Sequence, residues 1–232
     1  MRARFPEGRS GAVKVPVVRD ILSANERLAE QNRRLLAEHH VCAVNIMASP
    51  GAGKTSLILR TIDALAGRLR VGVIEGDIAS RVDADKVAAA GAPVVQVNTG
   101  GTCHLDAPMV GVALERLPLD QIDLLFIENV GNLICPVEFG LGEAARVVVS
   151  SVPEGDDKPY KYPGIFAAVD AIVLNKIDLA PYVPFDRAAF RTLVAGMNPK
   201  ASFLELSCAT GEGLEAWVGW LEALAARMRG GA

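Results

Sequence analysis

Short apolar runs alternate with amphipathic stretches over most of the chain. The runs are Val41–Met47, Arg70–Glu75, Pro93–Asn98, Asp123–Glu128, Ala145–Ser151, Ala171–Asn175 and Ser202–Leu206. Each is brief and dominated by Val, Ile, Leu, Ala or Phe, the pattern of strands buried on both faces. Between them, Ser56–Leu65, Val82–Ala90, Ala107–Arg116, Arg187–Ala195 and Gly213–Met228 carry apolar residues at helical spacing. Strands and helices in alternation predict an α/β fold, a mostly parallel sheet covered on both faces. Upstream, Ile21, Leu22, Leu28, Leu35 and Leu36 fall at helical intervals within Arg19–His39. This predicts an N-terminal helix over residues 19–40, outside the sheet-forming region 41–232 and packing on it or on a partner. Met1–Val18 lacks periodicity and reads as a flexible lead-in. Pro153–Pro163 is polar and reads as a long loop, the kind that tends to be functional or mobile.

Composition narrows the classes. The 232 residues suit one large domain, and a 50% hydrophobic content supplies a core. A net charge of −3 gives no broad basic field, so nucleic acid is not an expected partner. No apolar run approaches the roughly 18–20 residues of a membrane span. Met1–Val18 has no apolar core of a signal peptide, and the expected compartment is the cytoplasm. There the four cysteines are expected to be thiols.

Candidate chemistry begins at Ser49-Pro50-Gly51-Ala52-Gly53-Lys54-Thr55-Ser56, between the first apolar run and a helical stretch. Strand, Gly-rich turn and helix form the context of a phosphate-binding loop. The Pro50–Ser56 loop, through its backbone N–H groups from Gly51 onward, and the helix N-terminus would cradle an anion. Lys54 would reach the β- and γ-phosphates, and Thr55 would ligate Mg²⁺. The position of the usual first glycine is Ala48, the smallest replacement, and the loop is expected to survive it.

Asn175-Lys176-Ile177-Asp178 follows another apolar run. The Asp178 carboxylate can accept from both the ring N–H and the exocyclic amine of guanine, and adenine offers no matching donors. Lys176 would pack along the base, and Asn175 would tie loops together. Ser207-Cys208-Ala209 fits a further loop contacting the guanine oxygen. Leu124–Gly131 delivers Glu128 beside the phosphates, with Gly131 as a γ-phosphate sensor. Asp77 is a second candidate acid for Mg²⁺. For Asp83 and Asp85 a helix-dipole role competes. Lys54, Asp77 and Glu128 are the residues expected to serve hydrolysis of GTP to GDP; no catalytic base stands out.

Gly100-Gly101-Thr102-Cys103-His104-Leu105-Asp106 sets a thiol beside an imidazole, and Cys135 lies just beyond Glu128–Gly131. Thiolate and imidazole donors suit Ni²⁺ or Zn²⁺. Three ligands leave a tetrahedral site open, and two copies facing across a twofold axis would complete it. The competing reading makes these cysteines small buried hydrophobes, and it is the one expected for Cys42 and for the thiol of Cys208. His39 and His40 read as a solvent-facing pair at a helix end.

Together, Ser49–Thr55, Glu75-Gly76-Asp77-Ile78-Ala79, Gly101–Ala107, Glu128–Pro136, Pro153–Pro159 and Asn175–Asp178 resemble the HypB family, the nickel-incorporation GTPases of hydrogenase maturation. The likeness runs from about Ala24 to the C-terminal helix. It implies a P-loop NTPase fold of three α/β/α layers, of SIMIBI type. It further implies a metallochaperone that binds Ni²⁺ or Zn²⁺ at Cys103, His104 and Cys135 and dimerises with GTP. The implied partners are a HypA-type zinc protein and the large-subunit precursor of a [NiFe]-hydrogenase. The Cys-rich N-terminal motif and the His-rich tract of some members are not found here. Lys158 and Lys161 are candidates to reach phosphates across a dimer. The urease accessory GTPase, which typically presents Cys-Pro-His, and a signalling GTPase with structural zinc are the alternatives.

Overall fold

The computed structural model describes residues 17–77 and 81–230. Strands β1 (Cys42–Ala48), β2 (Val71–Asp77), β3 (Val94–Asn98), β4 (Leu124–Glu128), β5 (Ala145–Ser151), β6 (Ala171–Asn175) and β7 (Ser202–Glu205) form one sheet. Its order is β3-β2-β4-β1-β5-β6-β7, and every neighbouring pair runs parallel. The helices are α1 (Val17–Glu38), α2 (Lys54–Leu65), α3 (Val82–Ala89), α4 (Ala107–Leu114), α5 (Lys158–Lys161), α6 (Pro163–Ala167), α7 (Arg187–Met197) and α8 (Leu214–Gly230). The expected lead-in up to residue 16 lies outside the described residues.

Central strands are buried along their whole length, as their unbroken apolar character requires. Cys42, Val44, Ile46 and Ala48 point to one face, where they pack with Leu57, Leu65, Trp217 and Leu221 of α2 and α8. The other face meets two further clusters. Ala43, Ile74 and Leu125 pack with α1 and α4, and Met47, Val148 and Ile172 pack with α6 and α7. The result is the expected three-layer fold. Trp217 is fully buried, and its indole N–H donates to Thr61 Oγ1 at 2.8 Å, which satisfies the one polar atom of the ring.

Helix α1 is stitched to the sheet domain by two buried asparagines. Asn25 donates to Gly140 O at 2.7 Å and accepts from Ala107 N at 2.8 Å. Asn32 donates to Ala107 O at 2.9 Å and to Leu141 O at 3.0 Å. One helix therefore joins the start of α4 to the lead-in of β5. Pro153–Pro163 is not the open loop expected. A capping box, Ser151 with Glu154, closes a tight turn at Val152–Glu154, and α5 and α6 follow.

Candidate nucleotide and metal sites

The residues singled out in the sequence gather at the carboxyl ends of the strands, where parallel α/β sheets place their ligands. A cleft of about 480 Å³ is lined by Pro50–Gly51, Gly53–Ser56, Glu75–Asp77, Asp83, Lys86, Glu128–Gly131 and Lys176. Ala48 ends β1 as a buried residue with an ordinary negative φ, so the alanine fits there. Gly53 precedes α2 at φ 103°, and a Cβ on it would lie 2.4 Å from the Asn175 amide. Gly131 is held nearly as closely, for a Cβ on it would lie 2.8 Å from the Pro50 ring. The phosphate loop and the Glu128–Gly131 segment are thus in contact. Lys158 approaches the same loop from within the chain, donating to Ser49 Oγ at 3.1 Å, whereas Lys161 pairs with Asp157.

A second cleft of about 360 Å³ adjoins through Gly53, Ser56 and Lys176, and Asn175, Asp178, Cys208 and Ala209 line it. Asn175 ties three loops: it donates to Ala52 O at 3.0 Å and accepts from Lys176 N and Cys208 N. Lys176, at φ 60°, donates to Gly51 O at 2.7 Å. Ser207 does more than turn the chain, for its hydroxyl donates to Asp178 Oδ1 at 2.5 Å. The thiols of Cys42 and Cys208 are buried, and burial pushes both up to about 11.

Two acids stand side by side at the floor of the first cleft. Glu128 is paired in register with Glu75 across β4 and β2. Thr55 Oγ1 donates to Glu128 Oε1 at 2.8 Å. The other oxygen of each acid, Glu75 Oε2 and Glu128 Oε2, is buried without a hydrogen-bond partner. Burial, then the neighbouring Glu128, raises Glu75 to about 8. Burial raises Glu128 to about 7, against the pull of Lys54 and Thr55. Orphaned carboxylate oxygens beside a threonine hydroxyl fit a hard cation such as Mg²⁺. Asp77 ends β2 on the wall of this cleft. Asp83 lines it too and pairs with Lys86 at 2.8 Å, while Asp85 stays in the first turn of α3. Ile78 and Ala79 lie outside the described residues.

Cys103, His104 and Cys135 come together, their ligand atoms all within 4.8 Å of one another. Among the described residues no other group of three such side chains is placed to hold an ion. The two sulfurs are 3.1 Å apart, and Cys103 Sγ is 3.9 Å from His104 Nδ1. The Cys135 thiol beside it raises the Cys103 thiol, while burial lowers His104 and keeps the imidazole neutral, its metal-binding form. His104 stacks on Phe139 with centroids 4.0 Å apart. Asn132 bridges the ligand loops, donating to Cys103 O at 3.1 Å. His39 and His40 are not joined in a metal pair: His39 contacts Asp120 at 2.7 Å, and His40 turns the chain after α1 at φ 56°.

Residues 42–205 match the family model of the CobW/HypB/UreG nucleotide-binding domain. The hydrogenase maturation factor HypB of Rhizobium leguminosarum bv. viciae is 50% identical over 213 residues, 92% of this chain and 71% of that one. This chain belongs to the HypB family. HypB from Archaeoglobus fulgidus superposes with a TM-score of 0.83 at 44% identity, over 88% of this chain and 99% of that one. HypB from Helicobacter pylori, solved in complex with nickel, gives 0.85 at 33% identity over 88% and 96%. The three-layer α/β/α P-loop fold expected from the sequence is the fold found.

Several residues of this HypB-family site had no role assigned to them from the sequence. Glu75 carried a usable signal, an acid inside an apolar strand. Arg60 carried none: it lies mid-helix, and only the fold brings its guanidinium to Cys208 O at 2.7 Å and Ala209 O at 3.0 Å, fixing the Ser207–Ala209 loop. Phe139 was likewise silent, since His104, on which it stacks, is remote in sequence, and Asn129 lay in the Glu128–Pro136 motif with no role assigned to it. No helix among the described residues is long and apolar enough to cross a membrane.

Proposed function

We propose that this protein is a GTP-hydrolysing nickel carrier acting in [NiFe]-hydrogenase maturation. One observation carries the reading: a single short segment, Glu128–Cys135, supplies an acid to the phosphate cleft and a thiol to the cysteine–histidine cluster. Whatever moves the first end moves the second.

In this reading Asp178 selects guanine, Asn175 and Lys176 brace the base, and the Ser207–Ala209 backbone meets the guanine oxygen. The Pro50–Ser56 loop wraps the phosphates, and Lys54 offsets their charge. Thr55, Glu128 and Asp77 would hold Mg²⁺, which neutralises charge on the phosphate oxygens. Ni²⁺ is the cargo, held by Cys103, His104 and Cys135, and Zn²⁺ competes for the same donors. The cluster is near the surface and one ligand short of a tetrahedral set, which favours a GTP-linked homodimer that faces two clusters together. A HypA-type protein and the hydrogenase large-subunit precursor are the partners on either side of the transfer.

The decisive test titrates Ni²⁺ into protein loaded with GDP or with a non-hydrolysable GTP analogue. Different affinities or stoichiometries are expected, because a nucleotide shifts metal binding only by preferring one conformation. Identical titrations would remove the carrier mechanism.

A further inference from the structure

The coupling proposed above needs a physical link between the two sites, and we propose that Asn129 is that link, a positioning residue that transmits nucleotide state to the metal loop. The proposal rests on the reading of the sites as coupled. Asn129 follows Glu128 directly and is completely buried. Its backbone N–H donates to Ile46 O at 3.0 Å, on the strand that leads into the phosphate loop. Its side-chain oxygen accepts from Val130 N at 3.0 Å and from Leu105 N, also at 3.0 Å. Leu105 is the residue after His104. The side-chain nitrogen donates to Asn45 Oδ1 at 3.3 Å. Two backbone donors on one atom fix which end of the amide is oxygen.

The consequence is mechanical. A buried N–H left without an acceptor is costly, and the Asn129 side chain that accepts this one is itself buried. The Leu105 N–H therefore follows the Asn129 side chain when the Glu128–Gly131 segment shifts, and His104 follows Leu105. Asn132 offers a competing route through Cys103 O, but it lies near solvent, where water can take over a broken bond. Asn129 thus joins β1, through its backbone N–H and its amide to Asn45, and the Glu128–Gly131 segment to the residue that follows His104.

The test measures Ni²⁺ dissociation constants with GDP and with a non-hydrolysable GTP analogue, in wild type and in Asn129→Ala. The wild-type ratio is expected to be about 5-fold or more, the usual range of coupled sites. Asn129→Ala should bring the ratio to about one while both nucleotides and Ni²⁺ still bind. A merely structural role would weaken both affinities and keep their ratio. Asn132→Ala should keep it, and so should Asn45→Ala, which spares both bonds to the Asn129 oxygen. A wild-type ratio in Asn129→Ala overturns the proposal, as does equal loss in Asn45→Ala. A ratio of one in wild type instead overturns the carrier reading itself. Should Asn129→Ala not fold, hydrogen exchange on metal-free wild type decides. Leu105 amide protection is expected to differ between the nucleotides, and unchanged protection overturns the link.

Discussion

The phosphate cleft and the cysteine–histidine cluster are built on opposite principles. The cleft is set by the sheet: Ala48, Asp77, Glu128 and Asn175 are last residues of adjacent or near-adjacent strands. Glu75 and Glu128 on its floor are buried, and the loop before α2 is locked by Asn175. The cluster hangs on two connecting loops, with Cys103 exposed and Cys135 half-buried. Its geometry depends on contacts such as Asn132 to Cys103 O and the stacking of Phe139 on His104. A preorganised site suits a ligand bound and cleaved in fixed geometry. A loop-borne site at the surface suits an ion that must leave again. On the proposed reading, the difference separates what this molecule would hold from what it would hand on.

The comparison breaks first at Lys54. Lys54→Ala is expected to lower GTP hydrolysis by roughly 10²–10³-fold, the usual cost of deleting one preorganised charge stabiliser. Nickel affinity in the nucleotide-free protein should stay put. A steady-state phosphate-release assay checks the first statement, and a Ni²⁺ titration without nucleotide checks the second. Parallel losses in both would mean that the two sites are one.

The complementary change is Cys103→Ala, with Cys135→Ala as its partner. Loss of outer-shell support alone lowers metal affinity by about 10–100-fold, so removal of a ligand should cost on the order of 10²-fold. GTP affinity should be nearly unchanged. The raised Cys103 thiol adds a signature, because the proton must leave when metal enters. Wild-type Ni²⁺ affinity is therefore expected to climb as pH rises through neutrality, more steeply than in Cys103→Ala. Competitive chelator titrations across pH report both effects, and equal slopes would dismiss thiolate ligation by Cys103.

Much of this was legible before any fold was known, and the reason differs by region. The strands could be read because β1, β4 and β6 are buried on both faces and so carry unbroken apolar runs. The nucleotide motifs could be read because each is local, a turn between one strand and one helix. Ends of elements were less clear. β2 runs on to Asp77, since Gly76 and Asp77 pair with Val97 and Asn98 on the neighbouring strand. The polar composition of Pro153–Pro163 concealed α5 and α6, whose order comes from the Ser151–Glu154 box and from packing of Ile165 and Phe166. Asn129 lay inside the Glu128–Pro136 motif without a role of its own, and Asn25, Asn32 and Arg60 could not be found at all. Each acts on a backbone group far away in sequence, and nothing local marks such a residue.

The smallest expected effect tests how deeply the cleft acids are buried. Without nucleotide or divalent cation, Glu128 at about 7 and Glu75 at about 8 lie above the ordinary value of 4.5 that an unfolded chain would show. The folded state then holds these protons more tightly than the unfolded one. Their stabilising contribution is complete below about pH 4.5 and is lost as pH rises through 7 to 8. Burial of Glu128 should thus remove about 2 kcal/mol of stability between pH 5 and pH 8. Glu128→Gln keeps an oxygen for the Thr55 hydroxyl but has no proton to lose, so urea unfolding across this range should give a flatter profile. Cys103→Ala should leave the slope as it is in wild type. Mg²⁺ with GDP should flatten the wild-type profile as the substitution does, because an ion beside the ionised acids compensates the charge that burial disfavours. A slope that persists in Glu128→Gln and in the loaded protein would assign it to groups outside the cleft. The contrast between a buried site and a surface site would then rest on the metal cluster alone.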